Sequence, residues 1–153
     1  QGVTEPATEY RTAPSSGALY PLEVYLVAGE IDGLSAGVYR YGPSRHELAK
    51  IGEGDRRRDL YEAALQQAPV KDAAAVIVFT AVYERTTGKY GERGVRYVHM
   101  EAGHAAQNVY LQAVSLNLGT VVIGAFADEE VQGVLGLPDD EAPLYLMPLG
   151  LGT

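Results

Sequence analysis

Lys89 and Tyr90 stand side by side in the segment Lys89-Tyr90-Gly91-Glu92-Arg93, with Arg96 and Tyr97 close behind. An amine next to a phenol can take up or relay a proton when burial and neighbours tune the two groups. Arg93 and Arg96 carry the planar guanidinium that suits phosphate or carboxylate. A second candidate is the turn Pro14-Ser15-Ser16-Gly17 with Ala18 behind it. Its small side chains leave backbone N–H groups and two hydroxyls open, which suits a polar cofactor or an anion. A third is Gly124-Ala125, after Val122-Ile123. Its N–H groups have little side-chain cover and can hydrogen-bond a flat heterocycle edge-on. Each has a plain alternative: a solvated loop, a connecting turn, a strand-to-helix turn. Arg56, Arg57 and Arg58 are expected to be solvated on a surface helix.

Glu101 and His104 form an E-x-x-H pair, and with Asn108 they predict a polar stripe on one helix face. Di-iron bundles use such pairs in two copies with further carboxylates. One copy is present, so no metal is expected, and His104 is expected to be hydrogen-bonded within a buried network. Ala102, Gly103, Ala105 and Ala106 make a bare patch on which another helix or a flat ligand can come close. The chain has no G-x-G-x-x-G, no P-loop and no G-x-S-x-G elbow. It has no cysteine, which excludes disulfides, thiolate metal sites and cysteine nucleophiles.

These groups need elements to hold them. The chain has 153 residues, enough for one domain with a core, and 46% hydrophobic content, which is globular. A net charge of −8 argues against nucleic acid and anionic membranes as partners. No apolar run is long enough to span a bilayer, and no signal peptide is read, so cytoplasm is the expectation. Strands are predicted over 23–29, 73–82, 120–126 and 143–149, and a hairpin over 37–51 around the turn Gly42-Pro43-Ser44-Arg45. Asp55 is expected to cap a helix running to about Gln67, with Pro69 stopping it. Residues 84–94 read as a loop. Val98, Ala102, Ala105, Val109, Ala113 and Leu116 recur at helical spacing and predict a long helix over 95–117, with Gly119 as its stop. Asp128 is expected to cap a short helix to Leu135. No element is read before residue 20, and both ends read as lacking segments. The pattern predicts an α+β domain over 1–153 with a mainly antiparallel sheet.

Taken in order, RTAPSSGALYPLEVYLV, GVYRYGPSRHELAKI, KYGERGVRYVHMEAGHAAQNVYLQAVSLNLG, VVIGAF and EAPLYLMPLG resemble the nitroreductase-like flavoproteins, and within them the SagB-type dehydrogenases. The resemblance implies a nitroreductase-like fold, a homodimer formed through the long helix, and FMN bound at the subunit interface. It implies that Pro14, Ser15, Ser16, Gly17 and Ala18 line the FMN pocket from the partner subunit. Ala18 stands where many nitroreductases have Asn and Tyr20 where they have Gln, which fits the SagB branch. Gly124 and Ala125 would present N–H groups to the flavin near N5. Lys89 and Tyr90 match the proton-abstracting pair of enzymes that oxidise azoline rings in peptides. The Arg-x-Ser-x-Arg segment that binds the FMN phosphate in many relatives is absent, and Arg93 or Arg96 is the candidate substitute. The expected function is an FMN-dependent oxidoreductase acting on a small molecule or a peptide, with NAD(P)H or another electron partner. The alternatives are an NAD(P)H-driven nitroreductase and a non-catalytic module of the same fold in an assembly.

Overall fold

The structure is a computed structural model and describes residues 2–5 and 10–151. Strands β1 (Val3–Glu5) and β2 (Tyr10–Arg11) form a small antiparallel pair. A single 3-10 turn follows at Ser16–Ala18, then β3 (Leu22–Ala28), β4 (Gly37–Gly42) and β5 (Glu47–Glu53). Helices α1 (Arg57–Ala63) and α2 (Ala68–Asp72) lead into β6 (Ala75–Ala81). Helices α3 (Glu84–Tyr90) and α4 (Arg93–Ser115) precede β7 (Leu118–Thr120), α5 (Asp128–Leu135) and β8 (Ala142–Leu151). Among the described residues β3 to β8 form one antiparallel sheet in the order β5-β4-β3-β6-β8-β7. This is the expected α+β architecture.

β6 lies between β3 and β8, and helices cover both of its faces, so its apolar run is continuous rather than alternating. On one face Val27, Val76, Val78 and Leu146 pack with Leu60 of α1, Val70 of α2 and Val131 of α5. On the other, Leu22, Phe79 and Met147 pack against Val98, Ala102, Ala105 and Ala106 of α4. The alanines let α4 lie close to the sheet. Each fully buried large side chain contributes about 1.5–3 kcal/mol. One buried polar cluster interrupts the first face. The Thr80 hydroxyl donates to the Glu141 carboxylate. Burial, and then a hydrogen bond with Glu141, pushes the Tyr25 hydroxyl above its ordinary range.

Four expectations need correction. Residues 84–90 are helix, not loop. Gly94 explains this: a Cβ there would lie 2.8 Å from the Thr87 Cα, so its bare backbone lets the start of α4 press on α3 and hold it. Gly91, at φ 58°, makes the turn between them. Second, α1 ends at Ala63, where Leu65 and Gln66 take φ of 54° and 58° and reverse the chain. Pro69 then sits in the first turn of α2, where a missing N–H costs nothing, so it starts a helix instead of stopping one. Third, β7 covers only Leu118–Thr120; Ile123 adds a single bridge to Leu146, and Asn117 at φ 57°, not Gly119, turns the chain out of α4. Fourth, β1 and β2 lie ahead of residue 20. The hairpin, the short helix to Leu135 and the final strand stand where the pattern placed them, except that Asp128 is the first helical residue rather than the cap, which is Ala127.

Candidate active site

α3 carries Lys89 and Tyr90 in its last turn and brings both to the small-residue turn. A Cβ built on Gly17 would lie 2.8 Å from the Tyr90 Oη and 3.1 Å from the Lys89 Nζ. Two segments more than seventy positions apart in sequence therefore meet at a glycine. Gly17 takes φ 64°, and Ala18 at φ 53° and Tyr20 at φ 46° are left-handed too, with Leu19 between them at φ −87°. Such values are costly for Ala and Tyr and persist only where contacts hold them. The Ser15 Oγ accepts the Tyr20 N–H at 2.9 Å, and the Ser15 carbonyl accepts the Ala18 N–H at 3.1 Å. Pro14, Gly17 and Ala18 are exposed, and Ser15 and Ser16 half-buried.

Around this contact lies a row of rings and cations. Tyr90 meets Tyr97 edge to face at 5.2 Å, and the Arg93 guanidinium lies 6.0 Å from the Tyr97 ring centroid. The Lys89 Nζ is 5.4 Å from the Tyr90 ring. Neither Arg93 nor Arg96 makes an ion pair or hydrogen bond among the described residues. Both line an open groove of about 700 Å³ on the exposed face of α4, with His99 and Met100; Lys89 and Tyr90 do not line it.

Gly124 and Ala125 lie elsewhere. They follow the Ile123 bridge, and among the described residues neither of their N–H groups donates an intramolecular hydrogen bond. The turn is pinned from two sides. The Val122 N–H donates to the Tyr110 Oη at 2.7 Å, and the Gln67 Nε2 donates to the Ala125 carbonyl at 2.7 Å. Tyr110 and Tyr97 are about 220° apart around the helix at roughly 3.6 residues per turn. The two halves of the candidate site thus flank different sides of α4.

Other candidates resolve differently. Glu101 is buried and His104 exposed, so the proposed stripe splits at the edge of the buried arc of α4, and His104 is no part of a buried network. His99 instead pairs with the Tyr83 Oη at 2.7 Å. Burial, and then the Asp128 carboxylate, raises the Tyr83 hydroxyl pKa. Arg57 is not a solvated surface residue. It joins Asp55, Glu30 and the Ala73 carbonyl, with only 14% of its side chain exposed. Among the described residues no group of three or more His, Cys, Asp or Glu gathers at metal-binding geometry, and no helix is long and apolar enough to cross a membrane. Sequence reasoning missed Arg85, Tyr110 and Gln67. None of them left a signal, since Arg85 lies in a segment that reads as loop.

Residues 3–151 match the sequence profile of the nitroreductase family. The chain belongs to this family. A Methanocaldococcus jannaschii protein described as a nitroreductase is 49% identical over 149 residues, covering 97% of this chain and 74% of that protein. The microcin B17-processing protein McbC of Escherichia coli is 29% identical, covering 95% of this chain and 56% of its own length. Among solved structures, a protein from Anabaena variabilis described as a nitroreductase superposes at TM-score 0.86 with 39% identity, covering 96% of this chain and 30% of that one. The E. coli microcin synthetase McbBCD complex with truncated pro-MccB17 bound superposes at TM-score 0.83 with 26% identity, covering 99% of this chain and 59% of that one. The chain therefore spans between about a third and three quarters of these relatives. The fold is the nitroreductase fold, and the family is one of oxidoreductases.

Proposed function

We propose that the chain is the core of an FMN-dependent oxidoreductase of the SagB type, working as a homodimer. The observation that carries this is the meeting of Lys89 and Tyr90 with the glycine of the Ser-Ser-Gly turn. The residues present fit a flavin. Gly124 and Ala125 offer two uncommitted N–H donors with almost no side-chain cover, and Gly17, lacking a Cβ, lets the Tyr90 and Lys89 side-chain tips close directly on the turn backbone. The Arg11 Nε is buried with no hydrogen-bond partner, so a cation stands ready beside the turn. When bound, the flavin supplies the hydride chemistry.

The chain's own groups do the rest. The Tyr90 Oη and Lys89 Nζ would take the proton that the substrate gives up, at the pair of atoms that already converge on Gly17. Tyr97 braces the Tyr90 ring. The Gly124 and Ala125 N–H groups would donate to whatever acceptor edge faces them, and Gln67 anchors the chain just after them by holding the Ala125 carbonyl. Since the two halves flank different sides of α4, a complete site takes the turn from one copy and Gly124-Ala125 from another. The exposed apolar residues Met100, Leu111 and Val114 on α4 support that pairing. Similarity to McbC and to the trifolitoxin-processing protein TfxB of Rhizobium leguminosarum favours a peptide substrate, as in azoline oxidation. A second reading, NAD(P)H-driven reduction, is favoured by the Vibrio harveyi NADPH-flavin oxidoreductase, 31% identical over 111 residues.

The test begins with the visible spectrum of the purified protein and identification of any released cofactor. Flavin bands near ~370 and ~450 nm with released FMN are expected. Lys89→Ala and Tyr90→Phe should then keep the flavin and lower turnover by about a hundredfold or more. A protein that cannot be loaded with FMN, or variants that turn over like the wild type, would leave the non-catalytic module as the better reading.

A further inference from the structure

α3 grips the loop from Ser15 to Tyr20 at two points. Lys89 and Tyr90 close over Gly17 at one end. One turn earlier, the Arg85 Nη1 donates to the Tyr20 carbonyl at 3.1 Å and its Nη2 to the Glu23 Oε1 at 2.7 Å. Glu23 is itself fixed, since its second oxygen meets the Arg40 Nη2 on β4 at 3.0 Å. The loop needs such holding. Ala18 and Tyr20 both sit in the left-handed region, which is unfavourable for residues with a Cβ. Two further contacts support Tyr20: its N–H on the Ser15 Oγ, and its ring 4.4 Å from the Arg11 guanidinium. Of these three supports, Arg85 alone comes from the helix that carries Lys89 and Tyr90.

We propose that Arg85 is a positioning residue that locks the left-handed loop to α3 and so sets the spacing between Gly17 and the Lys89–Tyr90 pair. Four positions separate Arg85 from Lys89, and a helical turn between them is stiff. A displacement of Tyr20 would therefore move the loop relative to both groups together. The guanidinium fork meets two acceptors at once, the Tyr20 carbonyl and the Glu23 carboxylate, whereas an ammonium group is a point donor. Arg85 itself touches neither Lys89 nor Tyr90 by any hydrogen bond, so its effect runs through the loop. The inference rests on the proposed roles of Lys89 and Tyr90.

The test compares wild type, Arg85→Gln, Arg85→Lys and Glu23→Gln as full chains. Amide hydrogen exchange reads the loop with no cofactor needed. In Arg85→Gln, exchange at the Tyr20 N–H should quicken about tenfold, as expected for loss of one charge-assisted hydrogen bond, with the β3–β6 ladder unchanged. Glu23→Gln should give the same change, smaller. In FMN-loaded protein, Arg85→Gln should lower kcat about tenfold with KM nearly unchanged, and Arg85→Lys should recover only part of it. Unchanged exchange at Tyr20 overturns the proposal, as does faster exchange with unaltered kcat, or a lysine variant equal to wild type. If the wild type takes up no FMN, the flavin reading fails, and the exchange comparison still decides whether Arg85 holds the loop.

Discussion

At the scale of single residues, Gly17 is the position where chemistry and conformation meet. Its φ of 64° suits glycine, and the space a Cβ would take is already claimed by the Tyr90 Oη at 2.8 Å and the Lys89 Nζ at 3.1 Å. Both are ends of flexible side chains and can retreat, so the steric conflict moves them more than it unfolds the protein. Gly17→Ala should cost about 1 kcal/mol through backbone strain, a fall of roughly 2–4 °C in Tm. Its effect on turnover should be larger than that stability loss suggests, because Tyr90 and Lys89 are displaced. Thermal melts beside steady-state kinetics check this, and a melting shift with intact turnover would mean that the pair does not act from this position. The Ser15 Oγ accepts the Tyr20 N–H, so Ser15 shapes the loop.

At the scale of elements, the start of α1 shows how a local charge contact sets a pH response. Asp55 accepts hydrogen bonds from the Arg57 side chain and from the Arg57 N–H. The side-chain bond to Arg57 is the main reason that its carboxyl titrates below the usual range, with burial acting against it and the backbone bond helping. A carboxyl lowered in the folded state contributes stability above its unfolded pKa, and that contribution is lost as pH falls through the folded value. The helix start should therefore weaken below about pH 4, and Asp55→Asn should flatten the pH dependence of Tm in that window. A wild type and variant with parallel acid limbs would remove Asp55 from the account. Most strands and the long helix are legible in the apolar pattern, β6 as a continuous apolar run and α4 by its helical spacing. Helix α3 was not, because Thr-Thr-Gly-Lys-Tyr has little helical preference of its own and forms only against Gly94. Pro69 starts a helix although its type suggests a stop, because the reversal at Leu65 and Gln66 leaves no trace in residue type.

At the scale of the whole molecule, α4 buries one arc and leaves another bare. Val98, Ala102, Ala105 and Ala106 face the sheet, while Leu111 and Val114 are 63% and 73% exposed. Such side chains on the open face of the helix that separates two half-sites belong in an interface under the proposed homodimer. Leu111→Glu should shift the protein from dimer to monomer in sedimentation and weaken FMN binding in parallel, with the circular dichroism of the fold retained. A variant that becomes monomeric yet holds FMN as before would show that one chain completes the site alone.

The sequence by itself determined the class of fold, the segments that matter and the chemistry they can offer. Apolar periodicity and turn residues are local properties, and Lys89, Tyr90, Gly17, Gly124 and Ala125 declare their donors, their proton-handling groups or their lack of a Cβ by type alone. What the tertiary structure decided was which of them meet. Lys89 and Tyr90 reach Gly17 because α3 folds against α4 at a glycine, and Arg85 gains its place from contacts more than sixty positions away in sequence. Gly124 and Ala125 fall on another flank of α4 because Tyr110 and Gln67 hold them there. Proximity across such separations depends on packing, and packing leaves no signature in the spacing of residues along the chain.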